Sequence, residues 1–448
     1  MKKKLIAVLL IAALALTFAF ASGKQETSSG AALGSEPVTI TFWHCASDED
    51  GVLMDKYIKE FNETNEYQIT VNAIYQGQYS DATTLMKTIL SAENYSELPD
   101  IMQLDASGKV DYLNSGKAFT IDDAQAEFGE EILNLYTDGA LSNWNIGGVQ
   151  LGLPYATSTT ITFYNADLLK KAGWDRCPET FAEIAQLAQD MKKAGITDAV
   201  AFGTVPNTPT LANWIGQLGS YVLDNSNGAD GSAKKLVCVD NGALKTFLTE
   251  WKAMYDNGAG YVVNQSLSSS AFIGGQVAIY TSSSSNIKSI NDKVAGAFEV
   301  GTAKFIKVND SASFGASASG SCLAMFDSGD SLKKAATWEF IQYLTGAEVQ
   351  ADHSANTGYT PGCKAAEETA IWKEYLATTP QAAAVTEQFA ETPAMMRSIT
   401  VGPSADFYYG VMNGCSDMLT KNMSVDDALN AMATNLQSIV DNYWRNNQ

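Results

Sequence analysis

Arginine is nearly absent from this 448-residue sequence, which holds only Arg176, Arg397 and Arg445. A site that clasps phosphate or carboxylate through a two-pronged guanidinium must therefore use one of these three. Histidine is scarcer still, with His44 and His353 alone. The six cysteines (45, 177, 238, 322, 363 and 415) form no C-x-x-C pair. Zinc-ligand spacing is thus missing, and no metal or other cofactor is expected. Spacing leaves open whether any cysteines pair. Also missing are G-x-S-x-G, G-x-x-x-x-G-K-[ST], H-E-x-x-H and a G-x-G-x-x-G ahead of a helix. Basic residues number 29 against 50 acidic ones, a net charge of −21. Nucleic acid and anionic membrane surfaces are poor partners for that balance. A glycosidase needs only two carboxylates about 5–10 Å apart, and nothing in the sequence singles out such a pair.

What is present begins with an export signal. The stretch "MKKKLIAVLLIAALALTFAFAS" has a Lys-rich start, an apolar run and small residues at Ala19 and Ala21. It reads as a signal peptide over residues 1–21, cleaved near Ala21, which places the mature protein outside the cytoplasm. Residues 22–35 are polar and Gly/Ser-rich, a flexible leader with nothing to pack.

The remainder alternates strand and helix. "VTITF" is a buried strand, "DGVLMDKYIKEFNETN" carries Leu53, Tyr57 and Phe61 at helical spacing, and "YQITVNAIY" alternates as a strand. "DATTLMKTILSAE" is a helix and "LPDIMQL" a strand. Thr180 and Glu183 form a T-x-x-E capping box, Gly195 closes that helix, and Ser424 with Asp427 opens the last one. This rhythm favours α/β lobes with mainly parallel sheets. Three extended or turn-rich segments, residues 152–173, 313–326 and 354–366, fit poorly inside one lobe. Together they suggest crossings between two lobes, and hence a hinge and a cleft.

The order "ITFWH…FNETN…YQGQYSDATTLMKTILSAENYSELPDIMQL…FYNADLLKKAG…FIGGQVAIYTSSSSNI…GSCLAMF…NTGYTP" resembles the extracellular solute-binding proteins of ATP-driven sugar importers. It is most similar to the glycerol-3-phosphate and oligosaccharide branch, which is related to maltose-binding protein. The resemblance covers nearly the whole mature chain. It implies an α/β, two-lobed periplasmic-binding-protein fold of type II, with helices flanking the sheets and three inter-lobe crossings. It also implies a ligand held between the lobes and no chemistry performed on it. The lobes are expected at 36–153 with 317–356, and at 154–316 with 357–448.

Ligands of open α/β sheets sit beyond the carboxyl ends of strands. Trp43 and His44 end the first strand, so an indole face and an imidazole are expected at the cleft, unless Trp43 caps the core and His44 is a satisfied surface group. Tyr79, in "YQGQYSDA", matches the family's ligand tyrosine after the second strand. Asp105 ends the third strand, one residue before Ala106, where the branch carries a Glu. At the first crossing "PYATSTT" offers Tyr155, Thr157 and Ser158, the last matching the family's ligand serine. Trp214 is a candidate stacking face from the second lobe or a core residue of an amphipathic helix. Ser283 either joins a donor-rich patch or merely caps a helix. Gly320 permits close backbone approach at the second crossing, and Tyr359 matches the ligand tyrosine of the third. The branch's phosphate-gripping Arg falls on Tyr408, an aromatic face in place of a charge.

The expectation is therefore a monomeric carbohydrate-binding protein that captures a neutral mono- or oligosaccharide and delivers it to the transmembrane subunits of an ABC permease. Glycerol-3-phosphate or a related phosphate ester is the alternative ligand, and a secreted carbohydrate-active hydrolase the alternative activity.

Overall fold

The computed structural model describes residues 33–260 and 265–446. The expected signal peptide, its cleavage near Ala21 and nearly all of the leader lie outside the described residues. Among the described residues no helix is long and apolar enough to cross a membrane.

The strand Val38–His44 pairs in parallel with Ile69–Tyr75, from Val38 opposite Ile69 to His44 opposite Tyr75. On its other edge it pairs in parallel with Ile101–Asp105. Helices Asp48–Thr64 and Tyr79–Ser91 follow the first two strands. The first helix buries Met54, Tyr57, Ile58 and Phe61, a stripe at 3.6-residue spacing laid on the sheet. Alternation within the opening strand splits it between two layers. Ile40 and Phe42 join one apolar core with Phe61 and Phe340, while Trp43 joins another with Met86, Met102 and Leu104.

Leu153–Asn165 is the longest strand, thirteen residues of which only Tyr164 escapes full burial. Its first half pairs antiparallel with Ala318–Phe326. Its second half pairs antiparallel with Val277–Ser283 and Val300–Ala303. One strand thus belongs to the sheets of both lobes. Asn165 ends it by accepting Leu168 N–H at 3.0 Å, so the expected extended run stops there and a helix, Ala166–Lys171, begins. The sheets are mixed: strands that feed the first-lobe helices run parallel, and the crossing strands run antiparallel to their neighbours. In the second lobe Val200–Phe202 pairs in parallel with Val277–Ser283.

The second lobe has its own core, built around Phe181, Trp214, Phe247, Trp251 and Phe305. Trp214 stacks on Phe247 and Phe305 at ring separations of 5.3 and 5.1 Å. The C-terminal helix Val425–Asn446 adds Met432, Leu436 and Val440 to this core. Cys363, Ala366 and Trp372 pack instead with the first-lobe core, so the chain does not leave that core at residue 357. Thr180 caps its helix by accepting Glu183 N–H at 3.2 Å, as expected. Glu183 does not complete the box; its carboxylate takes Glu179 N–H at 2.7 Å and the Arg176 guanidinium at 2.6 Å. All six cysteines are free, and all but Cys45 are buried.

Candidate functional site

The two crossing strands define the floor of the cleft. Ser319 lies opposite Ser158 and Gly320 opposite Thr157, and the Ser158 and Ser319 hydroxyls meet at 3.0 Å. Gly320 has φ +114°, and a Cβ there would stand 1.7 Å from the Ala156 carbonyl oxygen. No other residue fits that approach. The third segment arrives at the same place, where Thr360 N–H donates to the Thr157 carbonyl at 2.7 Å. All three crossings therefore converge on Thr157.

First-lobe strand ends supply one wall. Tyr79 opens its helix half-buried, its hydroxyl accepting from Gln103 Nε2 at 2.9 Å. Gln103 also donates to Ser321 Oγ at 3.0 Å and accepts Cys45 N–H at 2.9 Å. A fully buried glutamine in an apolar strand is costly unless satisfied, and here it fixes Tyr79 against the second crossing. Asp105 stands opposite Ser321 in register. Burial pushes its carboxyl above the ordinary range, against the pull of hydrogen bonds from Ser107.

A second cluster surrounds Asp50, in the first turn of the helix Asp48–Thr64. Its Oδ1 meets His353 Nε2 at 2.9 Å. The His353 ring packs between Tyr155, at 4.6 Å, and Tyr359, at 5.5 Å. Tyr155 and Thr157 hydroxyls, His44 Nδ1, His353 Nδ1 and Ser354 Oγ are buried with no hydrogen-bond partner among the described residues. Each such orphan costs about 1–3 kcal/mol, and those of Tyr155, His353 and Ser354 lie on the hinge strand and the helix Ala347–Thr357 packed against it.

The second lobe answers with serines. Ser283 caps the turn that follows its strand, accepting Ser285 N–H at 3.3 Å and meeting Ser285 Oγ at 2.8 Å. Ser284 Oγ accepts Thr159 N–H at 3.2 Å. Tyr359 reaches across to a side-chain hydrogen bond with Ser285. Tyr408 lies half-buried on the helix Ser404–Thr420 and hydrogen-bonds Asn207, at the mouth of the helix Thr208–Gln217.

The structure thus brings together His44, Tyr79, Asp105, Tyr155, Thr157, Ser158, Gly320 and Tyr359, with Ser283 facing them and Tyr408 along the second-lobe rim. Two aromatic candidates are corrected. Trp43 is 5 % exposed in the apolar core behind the sheet, because adjacent strand residues point to opposite faces and His44 takes the other. Trp214 is fully buried among aromatic rings, its Nε1–H donated to the Ile306 carbonyl at 3.0 Å. Neither indole offers a face to the cleft. Sequence reasoning passed over Gln103, Asp50, His353 and Ser321. Gln103 carried a signal, being polar in the middle of a buried strand.

Further contacts join the lobes across the opening. Lys288 pairs with Glu49 at 2.9 Å, and Gly147 N–H donates to the Ala229 carbonyl at 2.6 Å.

The comparisons with known proteins agree with this architecture. Residues 56–380 match the family model described as bacterial extracellular solute-binding protein. The sn-glycerol-3-phosphate-binding periplasmic protein UgpB of Yersinia pseudotuberculosis is 26 % identical over 366 residues, covering 80 % of this chain and 81 % of its own. Among solved structures, UgpB from Mycobacterium tuberculosis in complex with glycerophosphocholine matches with a TM-score of 0.74 at 19 % identity, over 91 % of this chain and 100 % of that one. The cyclic alpha-maltosyl-1,6-maltose binding protein from Arthrobacter globiformis matches with a TM-score of 0.75 at 19 % identity, over the same shares. The sugar-binding protein MalE from Xanthomonas citri gives a TM-score of 0.73 at 21 % identity, over 92 % and 100 %. With three-quarters of its length under the family model and its crossings meeting at one hinge, the chain belongs to the bacterial extracellular solute-binding proteins.

Proposed function

We propose that this protein captures a mono- or oligosaccharide in the inter-lobe cleft and hands it to the membrane subunits of an ABC importer, without altering it. The observation that carries the reading is the set of unpartnered buried hydroxyls and imidazole nitrogens around Tyr155 and Thr157. Sugar hydroxyls both donate and accept, so they suit such a mixed set. Tyr359 and Tyr408 provide ring faces, and Tyr79, Asp105, Ser158 and Ser283 complete the hydroxyl contacts. The likeness to sugar-binding relatives supports this ligand class, and the glycerol-phosphate relatives support a phosphate ester as the second reading. The acidic, exported chain works as a monomer in the extracytoplasmic space. We place 36–153 and 317–356 in the first lobe, with the 363–372 segment that shares its core, and 154–316 with the remaining C-terminal residues in the second. Ligand contacts from both lobes favour closure, and the closed form presents the surface that the permease reads.

Thermal unfolding against a panel of mono- and oligosaccharides, polyols and glycerol phosphates tests this. At about a hundred times its dissociation constant a ligand stabilises by roughly 2.7 kcal/mol, and a sugar recovered intact afterwards supports binding without catalysis. Cleaved sugar would turn the reading to a hydrolase. A shift with phosphate esters alone would overturn the saccharide assignment.

A further inference from the structure

Arg397 is half-buried between the lobes, and its side chain makes no ion pair or hydrogen bond among the described residues. It lines a cavity of about 270 Å³ with Ser142 of the first lobe and Ser317 of the hinge. Lys109, only 1 % exposed, lines an adjoining recess of about 10 Å³, little more than one water, with Arg397, Asn143 and Ser398. The Lys109 ammonium donates to the Asn143 carbonyl and Oδ1, at 2.5 and 3.2 Å, and lies 5.0 Å from the centre of the Trp144 ring. All of these partners are neutral. No carboxylate comes within 4.0 Å of either cation, although Asp138 and Asp230 line the flanking cavities; the Asp230 carboxylate accepts from Ser226 Oγ at 2.6 Å. Burial lowers the Lys109 pKa to about 8, which leaves it mostly charged at neutral pH. In a chain of net charge −21, the half-buried Arg397 has no counter-ion among the described residues, whereas the buried Lys109 ammonium feels the Asp105 carboxylate.

The backbone that carries Arg397 is held in place by strain. Asn225, Ser226 and Asn227 are three consecutive non-glycine residues at φ 50°, 54° and 62°, a left-handed turn that costs roughly 1–2 kcal/mol per residue. Asn227 repays it through its side-chain amide. Its Oδ1 accepts Val222 and Leu223 N–H at 2.8 and 2.9 Å, and its Nδ2 donates to the Arg397 carbonyl at 2.9 Å. Thr400 N–H returns to the Asn227 carbonyl at 2.8 Å. The inter-lobe bond from Gly147 to Ala229 lies immediately beyond this turn, so closure roofs the recess.

We propose that this end of the cleft is a second compartment that takes an anionic substituent of the ligand, a carboxylate or phosphate borne on a saccharide. The inference rests on the saccharide reading above and deepens it. Ser317 lines the cavity and Ser321 meets Gln103, so about 13 Å of extended strand joins the two compartments. A short acidic oligosaccharide spans that distance, its rings on the hydroxyl floor and its anion at Arg397 in the cavity shared with Ser142 and Ser317.

Calorimetry on the whole mature protein with matched pairs tests it: glucose against glucuronate and glucose 6-phosphate, maltose against maltobionate, xylobiose against its aldobiouronic acid. The acidic member should bind about tenfold tighter in at least one pair, through charge-assisted hydrogen bonds. Arg397→Gln should abolish the preference and Arg397→Lys should retain part of it. Carboxylate and phosphate arms tell which anion is taken. Because the side chain has no partner to lose, the variant folds, and its unfolding midpoint checks this. Neutral members binding as well or better in every pair, or a preference that survives in Arg397→Gln, would overturn the compartment. If no saccharide binds but sn-glycerol 3-phosphate or inorganic phosphate does, and Arg397→Gln abolishes it, the anion compartment stands and the saccharide reading falls. Silence from every probe counts against both.

Discussion

The two walls of the cleft are made differently. On the first-lobe wall and the hinge, Tyr155, Thr157, His44, His353 and Ser354 each keep a buried polar atom without a protein partner. On the second-lobe wall Ser283, Ser284 and Tyr408 are already engaged with Ser285, Thr159 and Asn207, and the buried Thr208 hydroxyl is the exception. An engaged hydroxyl gains little from a ligand, because a new bond replaces an old one. An orphaned one gains the whole difference. On the proposed reading, most of the ligand's directional energy resides on the first lobe, while the second contributes shape and closure over an aromatic core.

Rigidity of the second wall gives the largest expected effect. Trp214→Ala removes an indole stacked on Phe247 and Phe305 and should cost about 4 kcal/mol in urea unfolding. Ligand affinity of the folded fraction should stay within about twofold. A steep loss of affinity with little loss of stability would return Trp214 to the cleft and erase the difference between the walls.

The comparison itself is sharpened by a pair of small deletions. Tyr155→Phe removes an orphaned hydroxyl, so the free protein should be as stable as before, or more so, while affinity for the bound sugar falls about tenfold. Ser283→Ala removes a hydroxyl that caps its own turn; it should lower stability by about 1 kcal/mol and affinity by no more than about threefold. Titration calorimetry on both variants decides. If Ser283 matters as much as Tyr155, the two walls share the ligand equally.

Much of this was legible in the chain. Apolar periodicity located the helices at Asp48–Thr64 and Val425–Asn446, and Thr180 announced its cap. The extended, Ser/Thr-rich run through Ser158 marked the strand that serves both sheets, and Gly320 marked the close approach opposite it. What stayed hidden is the direction in which side chains face. Trp43 and His44 are neighbours in a strand, so they enter different layers, and sequence does not say which of them joins the apolar layer of Met86, Met102 and Leu104. Trp214 sits on a helix whose residues 210–217 are all buried; with no polar face to orient it, periodicity could not separate core from cleft. Lys109 follows a strand in a polar turn and reads as a surface lysine. Its burial is created by Trp144 and Asn143, some thirty-five residues on, which no local pattern encodes.

The smallest expected effect concerns pH. Burial lowers the pKa of His44 from its ordinary value, outweighing the opposing pull of Asp55 and Asp50. The unfolded chain therefore binds more protons than the folded one between that lowered value and about 6.5. Stability should rise with pH through this window, and the His44 contribution should be lost on acidification below about 6.5. Measured as the difference between the wild type and His44→Gln at pH 7.5 and pH 5.5, the wild type should lose more of its unfolding midpoint on going acid. The reverse, a wild type that gains on the variant at low pH, would mean that Asp50 and Asp55 govern the imidazole. The first-lobe wall would then present a cation to the ligand in place of a neutral imidazole.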